Sequence, residues 1–312
     1  MHHHPEPIAP SADFAELKRE AAFLQRRGAL VTQGRFDVLL AAAWEIPATL
    51  HEIGRLREIT FRAVGEGTGK SLDLDRFDAS YLHLYVWDRD ACQIAGAYRL
   101  GCSDVLLAAG GPDALYTSTL FRFEKPFLEV LKPALELGRS FVAMEYQKSM
   151  YPLSVLWKGI GRFVMERPRY SRLFGPVSIS SNYSSLSRDL MVSFMRHTHQ
   201  DERHAGLIQP VNPYKMLHGQ DELSSCLKSI DEVSTVVANF EPDGKGVPVL
   251  LKQYLRLNAT LLEFNIDPDF GDALDALVLV DLQVAPAQML QRYMGAEGYD
   301  SFMAALSAQR VA

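Results

Sequence analysis

Residues 81–100 read YLHLYVWDRDACQIAGAYRL, and the fold follows from this stretch outward. Leu82, Leu84 and Val86 alternate with their neighbours at the period of a strand. Asp88-Arg89-Asp90 is a polar reversal, and 93–100 returns as a second strand, so an antiparallel hairpin is expected. Downstream, 136–144 and 173–180 are two more strands, separated by a helical pattern over 153–166 that Pro168 stops. Upstream, 13–27 is an amphipathic helix carrying Phe14, Leu17, Ala21 and Leu24 on one face. A second helix spans 46–64, with Ile53, Leu56, Ile59 and Phe61 as its apolar positions. A helix over 184–198 capped by Ser184, a helix over 248–263 with a strand-like end, and a strand over 276–283 complete the pattern. Residues 199–246 are polar and irregular and read as an insertion rather than core. This order predicts an α+β or α/β fold, one mixed central sheet flanked by helices with an enlarged C-terminal half. The division expected is a flexible lead and helix over 1–39, a main domain over 40–285 and a helical tail over 286–312.

Composition narrows the function classes. The chain has 312 residues, 47% of them hydrophobic and 22% charged, as in a globular protein, and its net charge of −6 argues against nucleic acid as a partner. Cys92, Cys102 and Cys226 form no C-x-x-C pair, so neither a disulfide scaffold nor a structural zinc site is expected, and a cytoplasmic location fits. No apolar run reaches the ~20 residues of a spanning helix, and no basic-then-apolar leader opens the chain. Gly65-Glu66-Gly67-Thr68-Gly69-Lys70-Ser71 imitates a phosphate-binding loop, but Val64 stands where the first glycine is required and a helix pattern precedes it. It reads as a glycine hinge or loop. His197, His199 and His204 read as a solvated loop at a helix end, so no metal site is expected. Ser178, Ser180, Ser181, Ser184 and Ser185 lack the G-x-S-x-G setting of a serine hydrolase.

The informative residues lie between 57 and 147. Arg57 and Phe61 share a helix face; Asp73, Asp75 and Asp78 follow the glycine loop; Arg99 ends the hairpin; Glu136 and Arg139 open the next strand. Such arginines and carboxylates read equally as a catalytic set or as a structural ion-pair network. In order and spacing, 56–61, 75–78 with His83-Leu84, 96–99 and 136–139 resemble the acyl-carrier-protein-dependent branch of the GNAT-like acyltransferases. That branch holds the acyl-homoserine-lactone synthases and the ornithine lipid N-acyltransferases, often labelled hemolysin-like. The segments 146–148, 156–159, 250–255 and 265–270 also resemble its lipid-synthesis members. The lactone synthases carry a tryptophan between the positions of Phe61 and Asp75, which this chain lacks, and they are shorter.

The resemblance implies a GNAT-like sheet that splays between 136–144 and 173–180 to admit a pantetheine arm. It implies transfer of a fatty acyl group, 3-hydroxylated in this branch, from acyl carrier protein to the α-amine of an amino acid. Ornithine stands first, with glycine or another amino acid, a lactone-type signal synthase, and a membrane-active non-enzyme as alternatives. No bound cofactor is implied; acyl-phosphopantetheine is the donor, and the glycine-free segment 145–152 suits a carrier-bound donor. Glu136 is expected to take the amine's proton, with Arg139 and Arg99 as its catalytic companions. Arg57, Phe61, Asp75 and Asp78 are expected to bind substrate, and main chain at Val142, Ala143 and Met144 to hold the oxyanion. Phe121, Phe123, Phe127, Leu128 and Phe141 are candidate walls of an acyl slot; Asp267, Asp269 and Asp272 are candidates for ornithine's second ammonium. Lys148, Lys158, Arg162, Arg167, Arg169 and Arg172 face only Glu166 in their stretch. That patch is expected to steer the acidic carrier protein or an anionic membrane surface, at the inner face of a bacterial membrane.

Overall fold

The computed structural model describes residues 5–219 and 221–311. Asp13 caps α1 (Phe14–Arg27) by accepting from the Glu16 amide, and α1 leads into β1 (Val31–Gln33) and β2 (Phe36–Ala42). Pro47 opens α2 (Pro47–Arg62), where its missing N–H costs nothing. The hairpin follows as β3 (Leu82–Asp88) and β4 (Gln93–Cys102), with Leu84 opposite Tyr98. Next come α3 (Ser103–Gly110), β5 (Phe121–Phe123), α4 (Lys125–Val130) and β6 (Leu135–Val142). The crossover helix α5 (Tyr151–Glu166) delivers β7 (Arg172–Ile179), and α6 (Ser185–His199) starts at the Ser184 cap. Then follow β8 (Ile208–Pro210), α7 (Asp221–Cys226), α8 (Ile230–Phe240) and α9 (Val249–Leu255). The chain finishes with β9 (Thr260–Asp267), β10 (Ala273–Asp281), α10 (Ala287–Met294) and α11 (Ala296–Val311).

Among the described residues the main sheet has eight strands in the order β1-β2-β3-β4-β6-β7-β10-β9. Every neighbouring pair is antiparallel except β6 and β7. Those two pair in parallel only at Leu135 with Leu173 and Glu136 with Phe174, and then part. Two features produce the splay. Arg139 has φ 49°, and the register between β4 and β6 slips there, so Arg139 and Ser140 both oppose Tyr98. Such a bulge bends a strand and increases its twist. Gly175 marks the last close approach: a Cβ there would lie 2.1 Å from the Leu137 carbonyl oxygen.

Alternation along β3 separates the two faces. Leu84 and Val86 join a core with Leu156, Trp157 and Phe163 of α5, whereas Tyr85 and Trp87 join Ile53 and Phe61 of α2. A third cluster on the α2 face, around Phe77, Phe121 and Phe127, covers the β7 and β10 end of the sheet through Phe174, Leu277 and Leu279.

The structure departs from the sequence reading in four places. Residues 31–42 hold β1 and β2, two strands the sequence reading did not name. Phe36, Val38 and Leu39 are buried on both sides of the sheet, so the alternation that marks a strand is missing. Residues 5–12, expected to be flexible, are tied down: Glu6 and Ala9 donate to Gly69 and Ser71 carbonyls, and Ala12 donates to Glu52. Within 199–246, read as an insertion outside the core, α8 buries Val233 and Val237 in the α5-side cluster. Two inward residues four apart are a weak signal in polar surroundings. The helix read over 248–263 ends at Leu255, where Asn258 (φ 59°) turns the chain into β9.

The 65–71 stretch is a fixed loop rather than a phosphate cradle, because its Thr68 and Gly69 amides are already taken. The buried Glu58 carboxylate accepts from the Thr68 and Gly69 amides at 3.1 and 2.8 Å and from the Thr68 hydroxyl at 2.7 Å. Glu58→Ala leaves these donors without their acceptor, and a loss of about 1–3 kcal/mol is expected in urea unfolding.

Candidate active site

A cavity of about 520 Å³ occupies the gap where β6 and β7 part. Leu137, Phe141 and Val142 line it from β6, Pro176 and Val177 from β7, and Leu250 and Tyr254 from α9. Its polar lining includes Thr60, Glu66, Arg139, Ser178, Asp243, Lys245 and Asp275. Strand alternation sorts these groups. Tyr98, Leu137, Val177 and Tyr254 belong to the α5-side core. Asp275 lies opposite Ser178 in the ladder, between Leu274 and Ala276, which belong to that same core, so Asp275 and Ser178 face the α2 side. The cleft therefore passes through the sheet, lined on the α5 face by aliphatic and tyrosine side chains with Lys245 packed over Tyr183 at that end, and charged on the other face through Arg139 and Asp275.

Arginines and aspartates meet on the charged face. Arg57 Nη1 donates to Asp78 at 2.8 Å, and Arg99 Nη1 donates to Asp75 at 2.6 Å and lies 3.4 Å from Asp78. Arg139 Nε lies 3.1 Å from Asp73, its Nη1 donates to the Tyr116 hydroxyl at 2.8 Å, and its Nη2 is 3.6 Å from Asp75. Burial works to raise the Asp78 carboxyl, but the Arg57 and Arg99 guanidiniums outweigh it and hold it far below the usual carboxylate range. The Arg139 guanidinium also packs over the Tyr116 and Phe270 rings, 4.8 and 4.9 Å from their centres.

Two carboxyls at the cavity behave differently. Ser178 Oγ donates to Asp275 Oδ1 at 2.7 Å, yet burial pushes the Asp275 carboxyl up to about 7. Burial, reinforced by the Asp275 charge, pushes Glu66 up to about 8.

Residues 56–158 match the acetyltransferase (GNAT) domain family. A glycine N(alpha)-acyltransferase of Bacteroides thetaiotaomicron is 32% identical over 292 residues, covering 88% of this chain and 84% of that protein. A glycine N(alpha)-acyltransferase of Phocaeicola vulgatus is 31% identical over 290 residues, covering 88% and 87%. The chain belongs to the GNAT acyltransferase family. No solved structure gives a significant match to this acyltransferase.

Several residues expected at the site of the acyltransferase are elsewhere. Glu136, expected to take the amine's proton, does not line the cavity. It is buried, one carboxylate oxygen bound by the Tyr81 hydroxyl and the other by the Thr117 amide at 2.7 Å. Of Arg57, Asp75, Asp78, Arg99 and Arg139, only Arg139 lines the cavity; the others form the buried network behind it. Phe61 and Val142 do line it. The Ala143 amide, expected at the oxyanion, donates instead to the Ala95 carbonyl at 3.0 Å, and Met144 is exposed. Phe121, Phe123 and Phe127 pack on one another, with ring centres 6.5 and 5.6 Å apart, in the third cluster, which Leu128 also joins. Of the expected acyl walls only Phe141 lines the cavity.

The basic patch is partly neutralised, three acids facing its six cations. Lys158 donates to Gln33, Arg162 and Arg167 share Glu166, Arg169 sits 3.5 Å from Asp104, and Arg172 is 3.9 Å from Asp281. Lys148 is exposed and has no acidic partner among the described residues. No three His, Cys, Asp or Glu side chains converge as a metal site among the described residues, and no described helix is long and apolar enough to cross a membrane.

Sequence reasoning missed Asp275, Glu66 and Lys245. The only local signal was for Asp275, an acid in the otherwise apolar run 273–280.

Proposed function

We propose that this acyltransferase joins a fatty acyl group, drawn from an acyl-phosphopantetheine thioester on acyl carrier protein, to the α-amine of glycine. The observation that carries the reading is the two-faced cleft. The donor's pantetheine arm and acyl chain lie between β6 and β7, against Leu137, Val177 and Tyr254. Among the described residues the β7-facing edge of β6 pairs with a strand only at Leu135 and Glu136, and beyond them it offers main chain to the arm's amides, as a sheet edge does to an added strand. The amino acid enters from the charged face, where Arg139 meets its carboxylate. The amine nitrogen attacks the thioester carbonyl, the C–N bond forms, and the C–S bond breaks to release the thiol.

Glycine is supported by the names of the two relatives. None of the acids first considered for ornithine's second ammonium, Asp267, Asp269 and Asp272, lines the cavity. Carrier docking at Lys148 and at Lys245 by the cavity belongs to the same reading, as does contact with an anionic membrane surface.

Purified protein given acyl carrier protein loaded with a long-chain or 3-hydroxy acyl group should form N-acylglycine, read by mass spectrometry. The same acyl group on coenzyme A, and ornithine in place of glycine, should react at least about tenfold more slowly. An ornithine product of equal rate removes the glycine assignment; equal use of coenzyme A removes the carrier.

A further inference from the structure

Among the residues lining the cavity, three carry carboxyls: Glu66, Asp243 and Asp275. Asp243 is held 3.3 Å from Lys245. Asp275 is buried, with one oxygen bound by Ser178 and, among the described residues, no hydrogen bond to the other. Glu66 makes no hydrogen bond or ion pair through its side chain among the described residues. Its loop is nevertheless fixed over the sheet. Ser180 Oγ and Asn182 Nδ2 donate to the Val64 carbonyl at 2.5 and 3.1 Å. A Cβ on Gly271 would lie 2.2 Å from the Gly65 oxygen, so the 65–66 backbone rests directly on the turn that opens β10.

We propose that Asp275, oriented by Ser178 and opposed across the cavity by Glu66, binds the acceptor's ammonium group and takes its proton. This deepens the acyltransfer reading and rests on it. The acids first expected in these roles are occupied: Asp75 and Asp78 by arginines, Glu136 by Tyr81 and Thr117. The proton count closes. The substrate ammonium has three N–H bonds. One proton passes to the Asp275 carboxylate before attack and reaches solvent by way of Glu66. A second goes to the departing thiolate as the C–S bond breaks, and the third stays on the amide.

The charged groups facing Asp275 are Arg139 of β6, Asp267 of β9 and Glu66 of the loop after α2, with Asp243 and Lys245 on the same cavity. Burial and the acids outweigh Arg139, so the pair titrates between about 7 and 8. A base in that range ionises as pH passes through neutrality and is still basic enough to accept a proton.

The test is the pH dependence of glycine acylation. Wild-type kcat/KM should rise through neutrality and level off once the pair has ionised. Asp275→Asn should lose about 100-fold or more near neutral pH. Its rate should keep climbing into the alkaline range, where free amine forms without help, so that the deficit shrinks with pH. Glu66→Gln, on a half-buried loop position with no bonds to lose, should stay folded and shift the acid limb to lower pH. Thermal melts check that both variants fold. A wild-type profile in both variants overturns the proposal. So does a folded Asp275→Asn whose deficit is the same at every pH, because a structural role predicts that. If wild-type protein acylates no amine from any donor, the acyltransfer reading itself fails, a result distinct from either of these.

Discussion

Asp78→Asn should destabilise the fold by about 3–5 kcal/mol, the loss seen when one partner of a buried ion pair is removed. Asp78 serves two guanidiniums, Arg57 and Arg99, both fully buried, and its second oxygen accepts the Asp75 amide at 2.8 Å. The amide side chain preserves shape but leaves two cations over one remaining acid, Asp75, which is also 3.6 Å from Arg139. The strain therefore reaches the cavity through Arg139. The same group makes wild-type stability acid-sensitive. Its carboxyl sits below the unfolded value, so the stabilisation is complete above about pH 4 and is lost as pH falls below it. Denaturant midpoints measured from pH 7 down to pH 3 should fall for wild type, and fall less for Asp78→Asn. Equal slopes would show that the pair carries no net folding energy.

Gly175→Ala should damage activity more than its single methyl suggests. The added carbon would lie 2.1 Å from the Leu137 oxygen and 3.1 Å from the Leu137 carbonyl carbon. Both are backbone, so no side-chain rotation relieves the clash, and β6 and β7 must separate. Their parallel contact is only two residue pairs long, directly before this point. Loss of stability of about 1–3 kcal/mol is expected from overpacking. A shift of about 1 Å between the two walls of the cleft should lower kcat about 100-fold. Gly138→Ala is the stability control: a Cβ there meets nothing within 4 Å, and its melting temperature should match wild type. Thermal melts beside kcat measurements check both. A Gly175→Ala protein with wild-type kcat would mean that the width of the splay does not set the reaction geometry.

Most elements were legible because their cues are local. The Asp13 and Ser184 caps, the alternation of 81–88 and the helical period of 153–166 each act within a few residues. Strands covered on both faces were harder. Phe36–Ala42 lacks alternation, and β9 was hidden behind a helical pattern that Asn258 interrupts. Of the expected site, Arg139, Phe61 and Val142 line the cavity, while Arg57, Asp75, Asp78 and Arg99 support it from behind.

The sequence by itself determined that this is an α/β protein with a central hairpin and a helical crossover, and its motif order pointed to an acyltransferase. Only the tertiary structure decided which acids face the reaction. Glu136 and Asp275 are both acids set between apolar neighbours near the start of a strand, and nothing local distinguishes them. The contact of β10 with β7, the bulge at Arg139 and the approach of Gly175 to Leu137 set which strand edges part. Glu66, Arg139, Ser178 and Asp275 come from distant parts of the chain. Periodicity specifies which face of a strand is buried, whereas register between remote strands specifies what that face meets.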